Sequence, residues 1–162
     1  MPVAYLGLGS NLDARQNLQL AFRELRSRFS LLKMSTVYCN EAIGFAGADF
    51  LNAVACIETR LTPQPLCAEL ELIHDLAERT RRSEKFISRS LDIDLLLYDQ
   101  LILNEPPIRL PREDVLQYSF VLGPLAEIAP DYRHPLTGKL ISEHWREFDA
   151  ASHLLTAVDL SL

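Results

Sequence analysis

Cysteine, positive charge and long apolar segments are all scarce in this sequence. The sequence has three cysteines, and none belongs to a CxxC pair. An odd number favours reduced thiols over a set of disulfides, and the missing CxxC spacing argues against a zinc site. No apolar stretch approaches the roughly 20 residues that cross a bilayer, and no signal peptide is evident. We therefore expect a cytoplasmic protein without a membrane partner.

The charge balance argues against a nucleic-acid-binding protein. The 162 residues carry 16 Lys and Arg against 22 Asp and Glu, a net charge of −6. Binding to nucleic-acid phosphates needs a basic surface, so we expect no nucleic-acid partner. With 48% hydrophobic and 23% charged residues, the composition is that of a globular chain, and the length predicts a single domain over residues 1–162.

The order of the predicted elements indicates the fold class. Hydrophobic periodicity predicts a strand, a helix, two strands, a helix and a strand, followed by a short strand and C-terminal helices. These are Val3–Leu8, a helix capped by Asp13, Phe29–Tyr38, Phe50–Thr59, a helix from Pro63, Leu91–Tyr98, a short strand near Leu103, Phe120–Ile128 and a last helix, capped by Ser142, with Trp145 and Phe148. This order is typical of an α+β fold with a ferredoxin-like βαββαβ core.

Two aspartates on the last strand of this core give the sharpest chemical signal. Asp92 and Asp94 alternate with Leu91, Ile93 and Leu95, and alternate residues of a strand share one face. Two carboxylates on one face of an apolar strand repel each other and are costly to desolvate. A hard divalent cation such as Mg²⁺ would remove that cost; an exposed strand face is the alternative.

A basic segment leads into the same strand. Between Arg79 and Arg89 the cationic residues outnumber the single acidic one, Glu84. In an acidic chain, such a cluster beside two aspartates favours phosphate binding, and Mg²⁺ with arginines is the usual electrostatic equipment of phosphoryl transfer. A solvated basic loop is the alternative.

An aromatic ring and an amide share another strand face. Phe50 and Asn52 suit a flat heterocycle with donors and acceptors along its edge; a core phenylalanine and a turn-capping asparagine are the alternative. Phe120 is either a second aromatic wall or a buried helix residue. Gly7 and Gly9 are interpreted as part of a tight structural turn, because neither GxGxxG nor GxxxxGK[ST] is present.

Four segments carry a family resemblance through their order and spacing. They are YLGLGSN near the start, FLNAV from Phe50, RSLDIDLLLY from Arg89 and FVLGPLAEIAP from Phe120. Together they resemble the 6-hydroxymethyl-7,8-dihydropterin pyrophosphokinases of folate biosynthesis. The resemblance implies a ferredoxin-like enzyme that transfers pyrophosphate from ATP to the pterin hydroxymethyl group and releases AMP. We expect a monomer whose small-molecule partners are ATP and a pterin.

The resemblance also implies roles for individual residues. Asp92 and Asp94 would hold two Mg²⁺ ions, and the catalytic arginines would be Arg79, Arg81 and Arg89. The pterin would be bound by Ile43, Gly44, Phe50, Asn52 and Phe120. ATP would be bound by Glu71, His74, Arg81, Arg82, Phe86, Arg89, Leu95 and Arg112.

Several positions depart from the family pattern, mostly on the ATP side. The replacements are Asn40-Glu41 for Thr-Pro, His74 for a glutamate, Glu78 for a glycine, Phe86-Ile87-Ser88-Arg89 for Trp-Gly-Pro-Arg, Pro111-Arg112 for Pro-His, and Tyr118 for an arginine. Three hypotheses therefore stand: an active pyrophosphokinase, a related transferase on another pterin, and a non-catalytic pterin-binding regulatory module. His74 fits either a site residue or a half-buried helix residue.

Overall fold

The secondary structure follows the predicted order of strands and helices through the core. The computed structural model describes residues 1–40, 50–80, 90–148 and 155–160. In chain order its elements are β1 (Val3–Ser10), α1 (Ala14–Arg28), β2 (Ser30–Met34), β3 (Val37–Asn40), β4 (Phe50–Glu58), α2 (Pro63–Thr80), β5 (Leu91–Tyr98), β6 (Leu103–Glu105), β7 (Ile108–Leu110), α3 (Asp114–Gln117), α4 (Ser119–Ile128), α5 (Ile141–Glu147) and β8 (Thr156–Val158).

The main sheet has the order β5–β1–β4–β3–β8. Strand β2 also pairs with β4, along Ala55–Glu58, whereas β3 pairs with Phe50–Asn52. Strand β1 lies between β5 and β4 and is antiparallel to both. With β2 and β3 counted as one strand, the first and third core strands lie in the middle and the second and fourth lie outside them. This is the ferredoxin-like α+β arrangement, so the predicted fold class is confirmed.

The predicted strand Phe29–Tyr38 is divided by a bulge at Ser35. Met34 pairs with Ala55, whereas Tyr38 pairs with Asn52, so the register moves by one residue between β2 and β3. At the break, Ser35 N donates to Val54 O and Ser35 Oγ accepts from Val54 N, both at 2.9 Å. The hydroxyl replaces a backbone acceptor there, which is how a bulge keeps its hydrogen bonds satisfied.

Other local features also differ from the expectations. Gly7 and Gly9 lie inside β1, which continues to Ser10, so the interpretation of these glycines as a turn is wrong. Asp13 does occupy the N-cap position of α1, but in a left-handed conformation (φ 48°) and without a side-chain capping bond. The strands β7 and β8 and the short helix α3 have no counterpart among the predicted elements.

The last helix begins two residues before its predicted start and ends at Glu147, before the predicted Phe148. α5 starts at Ile141 with Leu140 as its N-cap, and Phe148 lies just beyond its end. Ser142 is therefore inside the helix rather than its cap. The Glu143 carboxylate accepts a hydrogen bond from Leu140 N at 3.2 Å, so an acidic side chain, not the serine hydroxyl, satisfies the exposed start of the helix.

Helices cover both faces of the main sheet. α1 and α2 pack on one face around the fully buried Phe22, Leu25 and Ile73, and α3, α4 and α5 pack on the other, against Val54 and Leu96. Each large apolar side chain buried in this way contributes about 1.5–3 kcal/mol. Within the described residues, no helix combines the length and apolar character needed to cross a membrane.

We expect Gly123→Ala, in α4, to destabilise the protein by up to about 2 kcal/mol. A Cβ at Gly123 would lie 2.9 Å from Trp145 Cη2 and 3.1 Å from Leu155 Cδ1. The overpacking cost of about 1–3 kcal/mol exceeds the gain in helix propensity of about 1 kcal/mol. Urea denaturation measures the change. In a Trp145→Leu background the same substitution should be neutral or stabilising, and equal losses in both backgrounds would disprove the contact.

Candidate functional site

A cavity of about 340 Å³ lies on the sheet face that carries α3 and α4. Strands β1, β3, β4 and β5 contribute to its wall, as do the two helices. Its lining residues are Gly7, Leu8, Gly9, Asn40, Phe50, Asn52, Ala53, Asp92, Asp94, Leu96, Asp114, Tyr118, Phe120 and Val121. Five of the residues singled out from the sequence therefore meet in one place: Phe50, Asn52, Asp92, Asp94 and Phe120.

The strand register explains why these side chains converge. On one side of β1, Gly9 pairs with Asn52; on the other side, Gly9 pairs with Asp92 and Gly7 with Asp94. Because neither glycine carries a side chain, nothing from β1 stands between the amide of β4 and the carboxylates of β5. The glycines therefore form the floor of the cavity.

The acidic side of the cavity is made by alternate residues of β5. Leu91, Ile93 and Leu95 are buried in the opposite core, whereas Asp92 is exposed and Asp94 is half-buried. The predicted sharing of one face by the two aspartates is thus confirmed. Asp114, at the start of α3, lines the same cavity, and the sequence analysis did not select it.

Burial raises the pKa of the Asp94 carboxyl; the nearby Asp92 and Asp114 raise it further, while Arg112 opposes the shift. Arg112 Nη2 lies 3.9 Å from Asp94 Oδ1, and its Nε lies 3.2 Å from Asp114 Oδ1. The arginine thus bridges two carboxylates without fully compensating them. The site favours an added positive charge.

The carboxylate oxygens fit a hard cation such as Mg²⁺. In the part of the chain that the structure describes, no group of three or more His, Cys, Asp or Glu side chains is placed to hold a metal ion. Asp92 and Asp94 would therefore provide a minor share of an octahedral shell. Water and phosphate oxygens would complete it, which is the usual binding mode of Mg²⁺ at nucleotide sites.

His74 lies behind the acidic strand rather than in the cavity. It is 3% exposed, and its Nε2 accepts a hydrogen bond of 2.8 Å from Ile93 N, the amide between the two aspartates. Because Nε2 is the acceptor, the ring proton is on Nδ1, which lies 3.2 Å from Glu71 Oε1. Of the two interpretations of His74, the structure favours a buried helix residue, and it adds a direct contact to the backbone of β5.

We expect His74→Leu to lower the free energy of unfolding by about 1–3 kcal/mol, because a buried amide would lose its acceptor. His74→Gln keeps a side-chain carbonyl that can accept from Ile93 N, so its loss should be smaller. Urea denaturation of the two variants and the wild type measures the difference. Equal losses for leucine and glutamine would show that the hydrogen bond contributes nothing beyond packing.

Aromatic side chains form the walls of the cavity. Phe50 begins β4, and Phe120 lies in the first turn of α4. Tyr118 stacks on Phe120 with ring centroids 5.0 Å apart and an interplanar angle of 21°, so the residue that replaces the family arginine extends the aromatic wall. Aromatic stacking of this kind suits the face of a flat ring.

A carboxylate fixes α4 against β3. Glu127 Oε1 accepts from the Tyr38 hydroxyl at 2.6 Å, and Glu127 Oε2 accepts from Thr36 N at 3.0 Å. Burial would raise the pKa of Glu127, but the hydrogen bonds from Tyr38 and Thr36 outweigh it and the pKa is lowered. Since α4 carries Phe120, these bonds hold one aromatic wall in place.

Some predicted site residues lie away from the cavity or outside the described residues. Leu95 is buried in the core on the opposite face of β5, because it is out of phase with Asp92 and Asp94. Arg79 is exposed in the last turn of α2. The remaining predicted residues, Ile43, Gly44, Arg81, Arg82, Phe86 and Arg89, fall outside the described residues.

A family model described as 7,8-dihydro-6-hydroxymethylpterin-pyrophosphokinase (HPPK) matches residues 5–130. The chain belongs to this family. The resemblance inferred from the four sequence segments is therefore confirmed. The matched range begins within β1 and includes every later element through α4, but it excludes α5 and β8.

Individual relatives match most of the chain. Proteins named 2-amino-4-hydroxy-6-hydroxymethyldihydropteridine pyrophosphokinase from Aquifex aeolicus and Haemophilus influenzae are 34% and 35% identical to it, over 88% and 91% of this chain and 90% and 94% of their own lengths. Folic acid synthesis protein fol1 of Pneumocystis carinii is 35% identical over 88% of this chain, but the chain spans only 20% of that protein.

Solved structures of Plasmodium falciparum HPPK-DHPS share the fold. The wild type with pterin and p-hydroxybenzoate has a TM-score of 0.74 at 13% identity, and the wild type with SDX-DHP has 0.70 at 12%. These matches cover 93% and 91% of this chain but 43% of each Plasmodium chain. At this identity the likeness establishes the fold alone.

Proposed function

We propose that this chain transfers pyrophosphate from ATP to the hydroxymethyl group of 6-hydroxymethyl-7,8-dihydropterin, giving AMP and the pterin diphosphate in folate biosynthesis. The observation that carries the proposal is a cavity of about 340 Å³ with aromatic rings and an amide on one side and two aspartates on the other, in a chain of the HPPK family. A ligand with a flat ring and a reacting hydroxyl can contact the aromatic side with its ring while its hydroxyl lies beside the two aspartates.

On the ring side, Phe50 and Phe120 would contact the faces of the pterin, and Asn52 would bind its polar edge. The amide has both a donor and an acceptor, as the edge of a pterin does. Ile43 and Gly44 would complete this side of the pocket. Such positioning places the hydroxyl next to the phosphates, where orientation alone supplies much of the rate.

On the acidic side, Asp92 and Asp94 would hold two Mg²⁺ ions. When bound, Mg²⁺ neutralises phosphate charge and lowers the pKa of a coordinated hydroxyl. The substrate hydroxyl oxygen attacks the β-phosphorus, the bond between that phosphorus and the bridging oxygen of the α-phosphate breaks, and the hydroxyl proton passes to solvent. No protein nucleophile is needed.

Cationic side chains would stabilise the charge on the phosphates during transfer. Arg112 is already at the cavity, within 3.9 Å of Asp94, and would turn to the phosphates of ATP. Arg79, Arg81 and Arg89 would act as the catalytic arginines, and Arg82 and Phe86 would bind the nucleotide. Glu71, His74 and Leu95, by contrast, would act on ATP only indirectly, through β5.

We further propose that the chain works as a single-domain monomer in the cytosol. Cys39, Cys56 and Cys67 form no disulfide with one another, which fits a reducing compartment.

A product assay tests the proposed function. The protein is mixed with ATP, Mg²⁺ and 6-hydroxymethyl-7,8-dihydropterin, and the nucleotides are separated. AMP that forms only when the pterin is present supports pyrophosphoryl transfer. Pterin binding without AMP would contradict it and would favour a different acceptor pterin or a non-catalytic module.

A further inference from the structure

The side chain of Arg112 lies beside the acidic side of the cavity, between two carboxylates. Arg112 Nη2 is 3.9 Å from Asp94 Oδ1, and Arg112 Nε is 3.2 Å from Asp114 Oδ1. Both aspartates line the cavity. The guanidinium therefore supplies positive charge to Asp94, the same carboxylate to which the proposed function assigns a divalent cation.

The backbone of Arg112 is fixed, whereas its guanidinium is held loosely. Arg112 N donates a hydrogen bond of 2.9 Å to Leu96 O, two residues beyond Asp94 on β5. Among the described residues, the buried Nε of Arg112 has no hydrogen-bond partner, so its contact with Asp114 is an ion pair without hydrogen-bond alignment. The side chain is 34% exposed, and ion pairs with such exposure are weak. The guanidinium can therefore move while its backbone stays in place.

A divalent cation and this guanidinium compete for Asp94. Both are attracted by the same carboxylate, and they repel each other. Arg112 does not fully compensate Asp94, because burial and the neighbouring carboxylates still raise the pKa of this aspartate. The carboxylate therefore has more to gain from a cation with two charges than from the arginine alone.

We propose that Arg112 is an exchangeable counter-ion of Asp94, an inference that rests on the proposed function. In the protein without ligands, the guanidinium partly neutralises Asp94. When a divalent cation and ATP bind together, Arg112 moves from the carboxylate to the phosphate oxygens, which suit its planar fork of donors. The arginine thus opposes a divalent cation that arrives alone and favours one that arrives with a polyphosphate.

This role depends on the residue type at position 112, where the chain departs from the Pro-His of the family pattern. A histidine is mostly uncharged at neutral pH, so it would compete little with a metal ion. An arginine is always charged. The replacement therefore gives this chain a permanent competitor for the cation beside Asp94.

Mn²⁺ binding to the full chain without nucleotide tests the competition, with free Mn²⁺ measured by electron paramagnetic resonance. We expect Arg112→Gln to bind Mn²⁺ about three- to tenfold more tightly than the wild type, because a repelling charge is removed. Arg112→Met, which keeps an apolar stem, should show the same gain. The gain should shrink in about 0.5 M KCl, since salt screens charges at exposed sites. A folding defect cannot produce tighter binding.

Two matched variants serve as controls for the charge. Arg109→Gln removes the same charge from the exposed side of β7 and should bind Mn²⁺ as the wild type does. Arg112→Lys keeps the charge and should also show no gain.

ATP binding in the presence of Mg²⁺ and without pterin tests the move to the phosphates. We expect Arg112→Gln to bind ATP about tenfold or more weakly in isothermal titration calorimetry, because hydrogen bonds to a charged phosphate are lost. Arg112→Lys should lose less. The removal of one side chain thus has opposite effects on the metal alone and on the metal with ATP.

The outcomes separate this inference from the proposed function. If the wild type forms AMP and Arg112→Gln binds Mn²⁺ no more tightly than the wild type, the inference alone is wrong. If the wild type forms no AMP and neither protein binds Mn²⁺, the proposed function is wrong and the inference with it. An equal gain in Arg109→Gln, or unchanged ATP affinity in Arg112→Gln, would also overturn the exchange.

Discussion

Replacing Asp92 or Asp94 by asparagine is expected to reduce AMP formation by about 10²–10³-fold, the usual cost of removing one preorganised electrostatic contact in a transition state. Asparagine keeps the size of the side chain but removes the negative charge that a divalent cation requires. The measurement is single-turnover AMP formation at saturating ATP, Mg²⁺ and pterin. Asp75→Asn makes the same chemical change on the exposed surface of α2 and should leave the rate unchanged.

Asp94→Asn should lose activity without losing stability. Burial and the neighbouring carboxylates raise the pKa of Asp94, which means that folding disfavours its charged form. Asp94→Asn should therefore unfold at the same or a higher urea concentration than the wild type. Full activity in either variant would contradict a role of the two aspartates in holding Mg²⁺, and lost stability with lost activity would point to a folding defect.

Replacing Gly9 by valine is expected to weaken pterin binding by about 5- to 150-fold while leaving the fold intact. The new Cβ would lie 3.0 Å from Asn52 Oδ1, and the two methyl groups would extend into the cavity. If the ligand has to move away from these methyl groups, the usual overpacking cost of about 1–3 kcal/mol corresponds to that loss of affinity. Valine is favoured over glycine within a strand, which offsets the close contact with Asn52, so the free energy of unfolding should change by less than about 1 kcal/mol.

Gly9→Ala is the intermediate variant for this prediction. It adds only the Cβ, so it should weaken pterin binding less than Gly9→Val does. Pterin fluorescence titration measures affinity, and urea denaturation measures stability. Wild-type affinity in Gly9→Val would show that the ligand does not approach the floor of the cavity between Asn52 and Asp92.

Local patterns were sufficient to predict the core strands and most of the polar residues of the cavity that carry the proposed chemistry. The alternation of Asp92 and Asp94 with leucine and isoleucine places both carboxylates on one face whatever the rest of the chain does. The same argument applies to Phe50 and Asn52. Each of these predictions needs only the period of a single strand.

The parts that the sequence analysis missed depend on contacts between strands. Gly7 and Gly9 look like turn residues in isolation, and only the register with β4 and β5 makes them the floor of a cavity. Asp114 reaches the cavity from a four-residue helix that has no periodic signal in the sequence. The bulge at Ser35 depends on a hydroxyl that replaces a backbone acceptor across the ladder.

The strand β8 has a consequence for self-association. Its residues Thr156–Val158 pair with Val37, Tyr38 and Cys39, so the backbone donors and acceptors of β3 that point away from β4 are already used. An unpaired strand edge is a template for pairing with another chain and for aggregation. By covering β3 beside the cavity, β8 keeps this strand from recruiting a second copy, and a chain without β8 would be prone to edge-to-edge polymerisation.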